Sequence, residues 1–228
     1  KKKEKFTFFC PQRIGIPKGT DILWETLQFC KSDFQILQVD WRDTGTDEEN
    51  STSLRLRENL PSQVKLIPMI KRKDIPGYYH SCDAVIGNLR IGSFEYVELE
   101  AVMCKKPVIS FTDKKIKISI DDKEIESPFI PDTNDPKDIA QVIDKLVVSD
   151  QFRQNIFKKE YDFVQNISDP KKAGEWWDSL FEKMIKENPS INRKSSGITV
   201  KLRMLSFLIS NRLYFRKMKR IILGMHDT

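Results

Sequence analysis

Short runs rich in β-branched and aromatic residues recur at 6–9, 35–39, 64–67, 84–86 and 108–111, and stretches of helical spacing separate them at 18–30, 52–59, 74–81 and 94–104. That alternation constrains the fold strongly, because two parallel strands need a crossover long enough to hold a helix. It predicts an α/β architecture: a Rossmann-like, doubly wound parallel sheet of about five to six strands with helices on both faces. The run at 129–130 supplies the sixth candidate strand. The helix at 52–59 carries the weakest signal, since the polar stretch 43–53 also suits an extended loop.

After Pro131 the strand signal ends. Three helical patterns follow at 136–148, 150–166 and 170–187, each opened by Asp or Ser with a Pro or polar cap nearby, and they are expected to pack on one edge of the sheet. Residues 1–187 thus read as one domain. Residues 188–197 read as a linker, and 198–228 as a basic amphipathic helical tail with apolar residues at 202, 205, 209 and 213.

The net charge of +6 is unevenly placed: nine of the 39 basic residues lie between 193 and 226, a stretch without an acid, so the preceding body is near neutral. Nucleic acid is therefore not an expected partner of the body, and the tail offers no aromatic stacking motif beyond Tyr214 and Phe215. With 39% hydrophobic and 32% charged residues the chain is neither disordered nor fibrous. It shows no spanning helix and no signal peptide. Cys10, Cys30, Cys82 and Cys104 form no CxxC pair and read as buried, reduced thiols. The expected location is the cytoplasm.

An open parallel sheet binds ligands beyond the carboxyl ends of its strands, which directs attention to three places. After the first strand, Arg13 and Lys18 lie five apart across a turn with Gly15, Pro17 and Gly19, before a helix. Two cations beside a helix amino end suit a diphosphate, although the same residues also describe a solvated loop. After the fourth strand, Gly92 and Ser93 permit close backbone approach, and a helix begins near Phe94. Glu100, two turns on, has the chemistry to accept two hydrogen bonds from a vicinal diol such as a ribose. Glu95 and Glu98 are its competitors, and solvated surface is the plain alternative. The third place, Lys105-Lys106-Pro107-Val108-Ile109, reads as ordinary turn chemistry.

Together these segments resemble the carboxyl-terminal, donor-binding domain of a GT-B fold glycosyltransferase of family 4, the glycosyl transferases group 1. Arg13-x4-Lys18-Gly19 is similar to the family's GR-x4-KG motif; LIPMIKRKDIPGYY at 66–79 resembles the segment beginning near the nucleotide base; 81–86 and 99–109 resemble "AD-V... LEAMACGKPVI"; and 129–146 resembles the closing block. The resemblance covers residues 6 to 166. It implies that Arg13 and Lys18 hold the donor diphosphate as the catalytic cations, that Glu100 binds the ribose hydroxyls, and that Gly19, Ile70 and Lys71 complete the donor site. The first glutamate of the family's E-x7-E motif falls at 92, where this chain has Gly92, followed by Ser93-Phe94-Glu95 in place of Pro-Phe-Gly. Backbone groups of Ser93 and Phe94, or Glu95 itself, are placed to substitute. No metal or other cofactor is expected: there is no Asp-x-Asp element, and neither His80 nor His226 has a ligand partner.

The implied function is binding of a nucleoside-diphosphate sugar for transfer to an acceptor held by an amino-terminal domain or partner subunit, without which this chain is expected to be inactive. The alternative is a non-catalytic, nucleotide-sugar-binding or scaffolding subunit. The tail at 198–223 either lies on an anionic membrane surface, making the protein peripheral, or packs on the missing domain.

Overall fold

The computed structural model describes residues 5–42, 45–120 and 123–187. The linker and the basic tail, 188–228, fall outside them. The chain divides into two compact units, Lys1–Pro170 and Lys171–Thr228.

The first unit is built on a five-stranded parallel sheet: β1 (Phe6–Cys10), β2 (Phe34–Val39), β3 (Val64–Ile67), β4 (Ala84–Ile86) and β5 (Val108–Ile109), in the order β3-β2-β1-β4-β5. The order reverses between β1 and β4, so the loops after those two strands meet at one crevice. Alternation along the strands feeds two cores. Phe8, Cys10, Ile36, Ala84, Ile86 and Ile109 point to one face, and Phe9, Val39, Val85 and Val108 to the other. Burying each such Phe contributes about 1.5 to 3 kcal/mol.

Four helices cross over between strands: α1 (Thr20–Thr26), α2 (Asp47–Glu58), α3 (Ile75–Ser81) and α4 (Tyr96–Met103). From Asp47 on, the polar stretch that also suited an extended loop is helical, the start of α2. Thr46 caps it by accepting from Glu49 N, and Asp47, Glu48 and Glu49 suit the positive end of the helix dipole. The helix expected over 18–30 is shorter, because Gly19 adopts the left-handed region at φ 73° and separates a 3-10 turn, Ile16–Lys18, from α1. The sixth candidate strand makes only an isolated bridge, Ile109 to Ile130. The segment after β5 holds an unforeseen antiparallel hairpin, β6 (Ile118–Ile120) and β7 (Lys123–Ile125).

The later helices do not share one edge. In α5 (Pro136–Val148), Ile139, Ile143 and Leu146 join the Phe8 core beside α1, whereas in α6 (Asp150–Ile167), Phe163 and Val164 join the Phe9 core beside α4. The last, α7 (Pro170–Glu187), falls in the second unit and exposes Trp176, Trp177, Phe181, Met184 and Ile185. Among the described residues no helix is long and apolar enough to cross a membrane. All four cysteines are free, but only Cys10 and Cys82 are buried; Cys30 and Cys104 are partly exposed. Burial pushes the Cys10 and Cys30 thiols up to about 12, leaving both protonated at neutral pH.

One buried acid ties α6 to the sheet. Glu160 is fully buried; its Oε2 accepts from Val108 N at 3.0 Å, while Oε1 has no hydrogen-bond partner. Burial, helped by the nearby charge of Glu98, raises its pKa well above 4.5. A raised folded-state pKa contributes stability below the unfolded value of 4.5 that is lost as pH climbs toward the folded one. Glu160→Gln is therefore expected to gain on the wild type in melting temperature as the pH rises above 4.5. A difference independent of pH, measured by thermal unfolding, would contradict this.

Candidate functional site

The loop after β1 is shaped by backbone bonds before any charged group matters. Ile14 N donates to Trp41 O at 2.6 Å, and Gly15 N to Thr20 Oγ1 at 3.0 Å, so the turn closes on the start of α1. Pro17 presets the 3-10 turn that delivers Lys18. A Cβ at Gly19 would meet the carbonyl carbon and Cβ of Leu89 at 3.0 Å, so glycine is what lets this loop touch the loop after β4.

The contact is then stitched by side chains. Arg90 donates to Ile16 O at 2.8 Å and to Asp21 Oδ2 at 2.5 Å, and Asn88 Nδ2 donates to Pro17 O at 3.4 Å. Asn88 also shapes its own loop, its Oδ1 accepting from Arg90 N and Ile91 N. Beneath lies Glu98, wholly buried, accepting from Asn88 N at 3.0 Å, Ser110 Oγ at 2.8 Å and Glu95 N at 2.7 Å. The carboxylate thus fixes the loop after β4, the end of β5 and the start of α4 together. It also consumes one of the N–H groups expected to face a ligand.

Lys18 Nζ lies 2.6 Å from both carboxylate oxygens of Glu95, and Asn88 Nδ2 donates to Glu95 Oε2 at 3.0 Å. Burial works to raise the Glu95 carboxyl, but the hydrogen bonds from Lys18 and Asn88 and the charges of Lys18 and Arg13 together hold it below 4.5. The Arg13 guanidinium stands 5.6 Å over the Trp41 ring. Arg13 and Lys18 from the loop after β1 and Glu95 from the loop after β4 therefore share one electrostatic neighbourhood.

Gly92 takes φ 80°, and a Cβ there would come within 3.2 Å of Phe111 Cε1 and Asp113 Cβ. A side chain at 92 is therefore strained in this fold. Ser93 is half-buried, and the Phe94 ring is committed to the core, packed edge-on against Phe163 at 5.4 Å and tilted against Phe129 at 5.9 Å.

Glu100 lies one turn and a half beyond Glu95, about 7.5 Å along the helix axis at 1.5 Å per residue. It lines an open pocket of about 600 Å³ with Ile70, Arg72, Ile75 and Tyr96. Lys71 is exposed and does not line this pocket; Arg72, at the start of a second 3-10 turn, does. Tyr79, 1% exposed, donates its hydroxyl to Glu100 Oε2 at 3.3 Å. Burial, then the charge of Glu100, raises the Tyr79 pKa, so the phenol stays a donor. Among the described residues no group of three or more His, Cys, Asp or Glu is arranged to hold a metal ion.

Three contributors were not foreseen. Asn88 and Arg90 act through contacts between distant loops; Glu98, expected only as a competitor of Glu100 for a ribose, is instead the buried acceptor that holds those loops. Tyr79 belongs to the 66–79 segment but carries no motif of its own.

This crevice belongs to a known architecture. The protein has the GT-B carboxyl-terminal fold of HepE from Anabaena, solved in complex with UDP and glucose (TM-score 0.59, 19% identity over 78% of this chain and 48% of that one). It is equally similar to sucrose-phosphate synthase from Thermosynechococcus elongatus (0.60, 16%, 81% and 46%). A third likeness is the C-terminal domain of the glycosyl transferase group 1 family protein LpcC from Francisella tularensis (0.54, 22%, 72% and 85%). The chain spans about half the length of the first two proteins. No curated protein sequence matches it. The family of glycosyl transferases group 1 matches residues 1–163, the whole sheet and most of the helices around it, and to that family the chain belongs.

Proposed function

We propose that this chain binds a nucleoside-diphosphate sugar in the crevice between the loops after β1 and β4, as the donor half of a glycosyltransferase whose acceptor is held by an amino-terminal domain or a partner subunit. The observation that carries the reading is the convergence of Lys18 on the first turn of α4, with the Ile70 and Glu100 pocket one turn and a half further along the same helix. Its spacing of about 7.5 Å suits a diphosphate at one end and a ribose at the other.

In this reading Arg13 and Lys18 stabilise the charge that develops on the departing diphosphate, the electrostatic share of glycosyl transfer. Glu100 accepts from the ribose hydroxyls, Tyr79 holds its carboxylate in place, and Ile70 offers an apolar wall to the base. Backbone groups at Gly19, Ser93 and Phe94 complete the donor site. The cations do this work without a metal. HepE in complex with UDP-glucose makes a uridine diphosphate sugar the first ligand to try. The protein works in the cytoplasm, with 198–223 as its attachment to an anionic membrane surface. A non-catalytic, donor-binding or scaffolding subunit is the second reading, favoured by glycine at 92 and by the carboxylate on Lys18.

Calorimetric titration of UDP, GDP and their sugars tests the site. Saturable binding of one of them is expected, and binding of none would overturn the proposal. Glu100→Ala is expected to weaken it about tenfold to a hundredfold through loss of a charge-assisted contact. Tyr79→Phe, which frees Glu100 without discharging it, is expected to cost only about two- to fivefold. Equal losses in the two variants would show that Tyr79 acts on the fold rather than through Glu100.

A further inference from the structure

Lys18 does not meet solvent as a bare cation. Both oxygens of Glu95 lie 2.6 Å from its ammonium, and the two side chains are 18% and 31% exposed. Asn88 holds the same carboxylate with its amide while its other contacts tie it to Pro17 and the β4 loop. Arg13 adds a second positive charge to the neighbourhood. The carboxylate thus has what a phosphate would have at this place: negative charge, two acceptor oxygens, a lysine ammonium and an amide donor. Glu95 also forms half of a capping box with Glu98 at the start of α4, but Ser, Thr, Asp and Asn are the residues favoured at that position, so capping alone does not call for a glutamate there.

We propose that Glu95 is an internal anion occupying the diphosphate subsite, so that a nucleoside diphosphate binds only by displacing it from Lys18. This rests on the donor-site reading above and deepens it: the residue that follows Gly92-Ser93-Phe94 sets how tightly the site takes a diphosphate. Wild-type affinity is lowered in two ways, by the Lys18 contact that must be broken and by the carboxylate left beside the incoming phosphates.

The test is isothermal titration of inorganic pyrophosphate, UDP and UDP-glucose into wild type, Glu95→Gln and Glu95→Gly, with thermal unfolding of each. Both variants are expected to bind pyrophosphate and UDP about tenfold or more tightly than wild type. Damage to the start of α4 would lower affinity, so a gain cannot come from a structural defect. Glycine covers the case in which glutamine at 95 folds poorly. Unchanged or weaker binding in the variants, with saturable binding in wild type, overturns the role of Glu95 and leaves the donor site standing. Selective loss of UDP-glucose with UDP unchanged likewise overturns it, making Glu95 a sugar contact. Failure of all three proteins to bind pyrophosphate, UDP or UDP-glucose overturns this inference, and failure with GDP and its sugars as well sinks the donor-site reading.

Discussion

Gly87→Ala is expected to destabilise the first unit by about 3 to 5 kcal/mol, the largest effect of a single methyl group anywhere near the crevice. A Cβ at 87 would stand 2.1 Å from Glu98 Oε1, 2.8 Å from its carboxyl carbon and 3.1 Å from Ser110 Cβ. The neighbour cannot swing away, because Glu98 is wholly buried and accepts from Asn88 N, Ser110 Oγ and Glu95 N. Relief requires either a shift of β4 against β5 or the loss of those hydrogen bonds. Overpacking costs about 1 to 3 kcal/mol, and each broken bond to a buried carboxylate about 1.5 to 3. Urea unfolding checks the size. Glu98→Ala alone strands the same donors, so the Gly87→Ala/Glu98→Ala pair is expected to lose clearly less than the sum of the single losses. Additive losses would mean that the two positions do not share the strain described.

The sheet was readable because β1, β4 and β5 are core on both sides, and β-rich runs between helical segments leave few alternatives to a parallel order. What misled was polarity. Residues 47–51 look like a loop to any reading that counts apolar spacing, yet they begin α2, whose acidic first turn and Thr46 cap serve in place of a hydrophobic stripe. The hairpin Ile118–Ile120/Lys123–Ile125 has strands of only three residues each, too short for their alternation to stand out. α5 and α6 parted to opposite faces because Leu146 and Phe163 belong to different cores, a fact of tertiary packing that periodicity does not carry. At the site, spacing predicted which residues matter but not which pairs form. Lys18 and Glu95 are 77 residues apart, and each by itself looks like a solvated charge. Gly92 was legible only as a missing carboxylate. Its left-handed backbone, braced against Phe111 and Asp113, shows that the β4 loop turns there and presents Glu95 instead.

Lys18→Ala is expected to weaken nucleoside-diphosphate binding about a hundredfold or more, the largest loss for any side chain in the crevice. Two effects act in the same direction. The charge-assisted contact with the phosphates goes, worth about 1.5 to 3 kcal/mol, and Glu95 loses the ammonium that neutralises it. Arg13 remains, but its guanidinium is drawn over the Trp41 ring, so it compensates only in part. Arg13→Ala removes one contact and leaves the Lys18 to Glu95 pair intact, for which about tenfold is expected. The asymmetry identifies the pair. If Lys18 and Glu95 are coupled as the 2.6 Å contacts show, Lys18→Ala/Glu95→Gln recovers part of the affinity lost in Lys18→Ala, because the stranded negative charge is gone. Titration of UDP into the four proteins of this cycle measures the coupling. A double variant no better than Lys18→Ala would place Glu95 outside the reach of the phosphates, and with it would fall the claim that the loops after β1 and β4 form one anion site rather than two neighbouring ones.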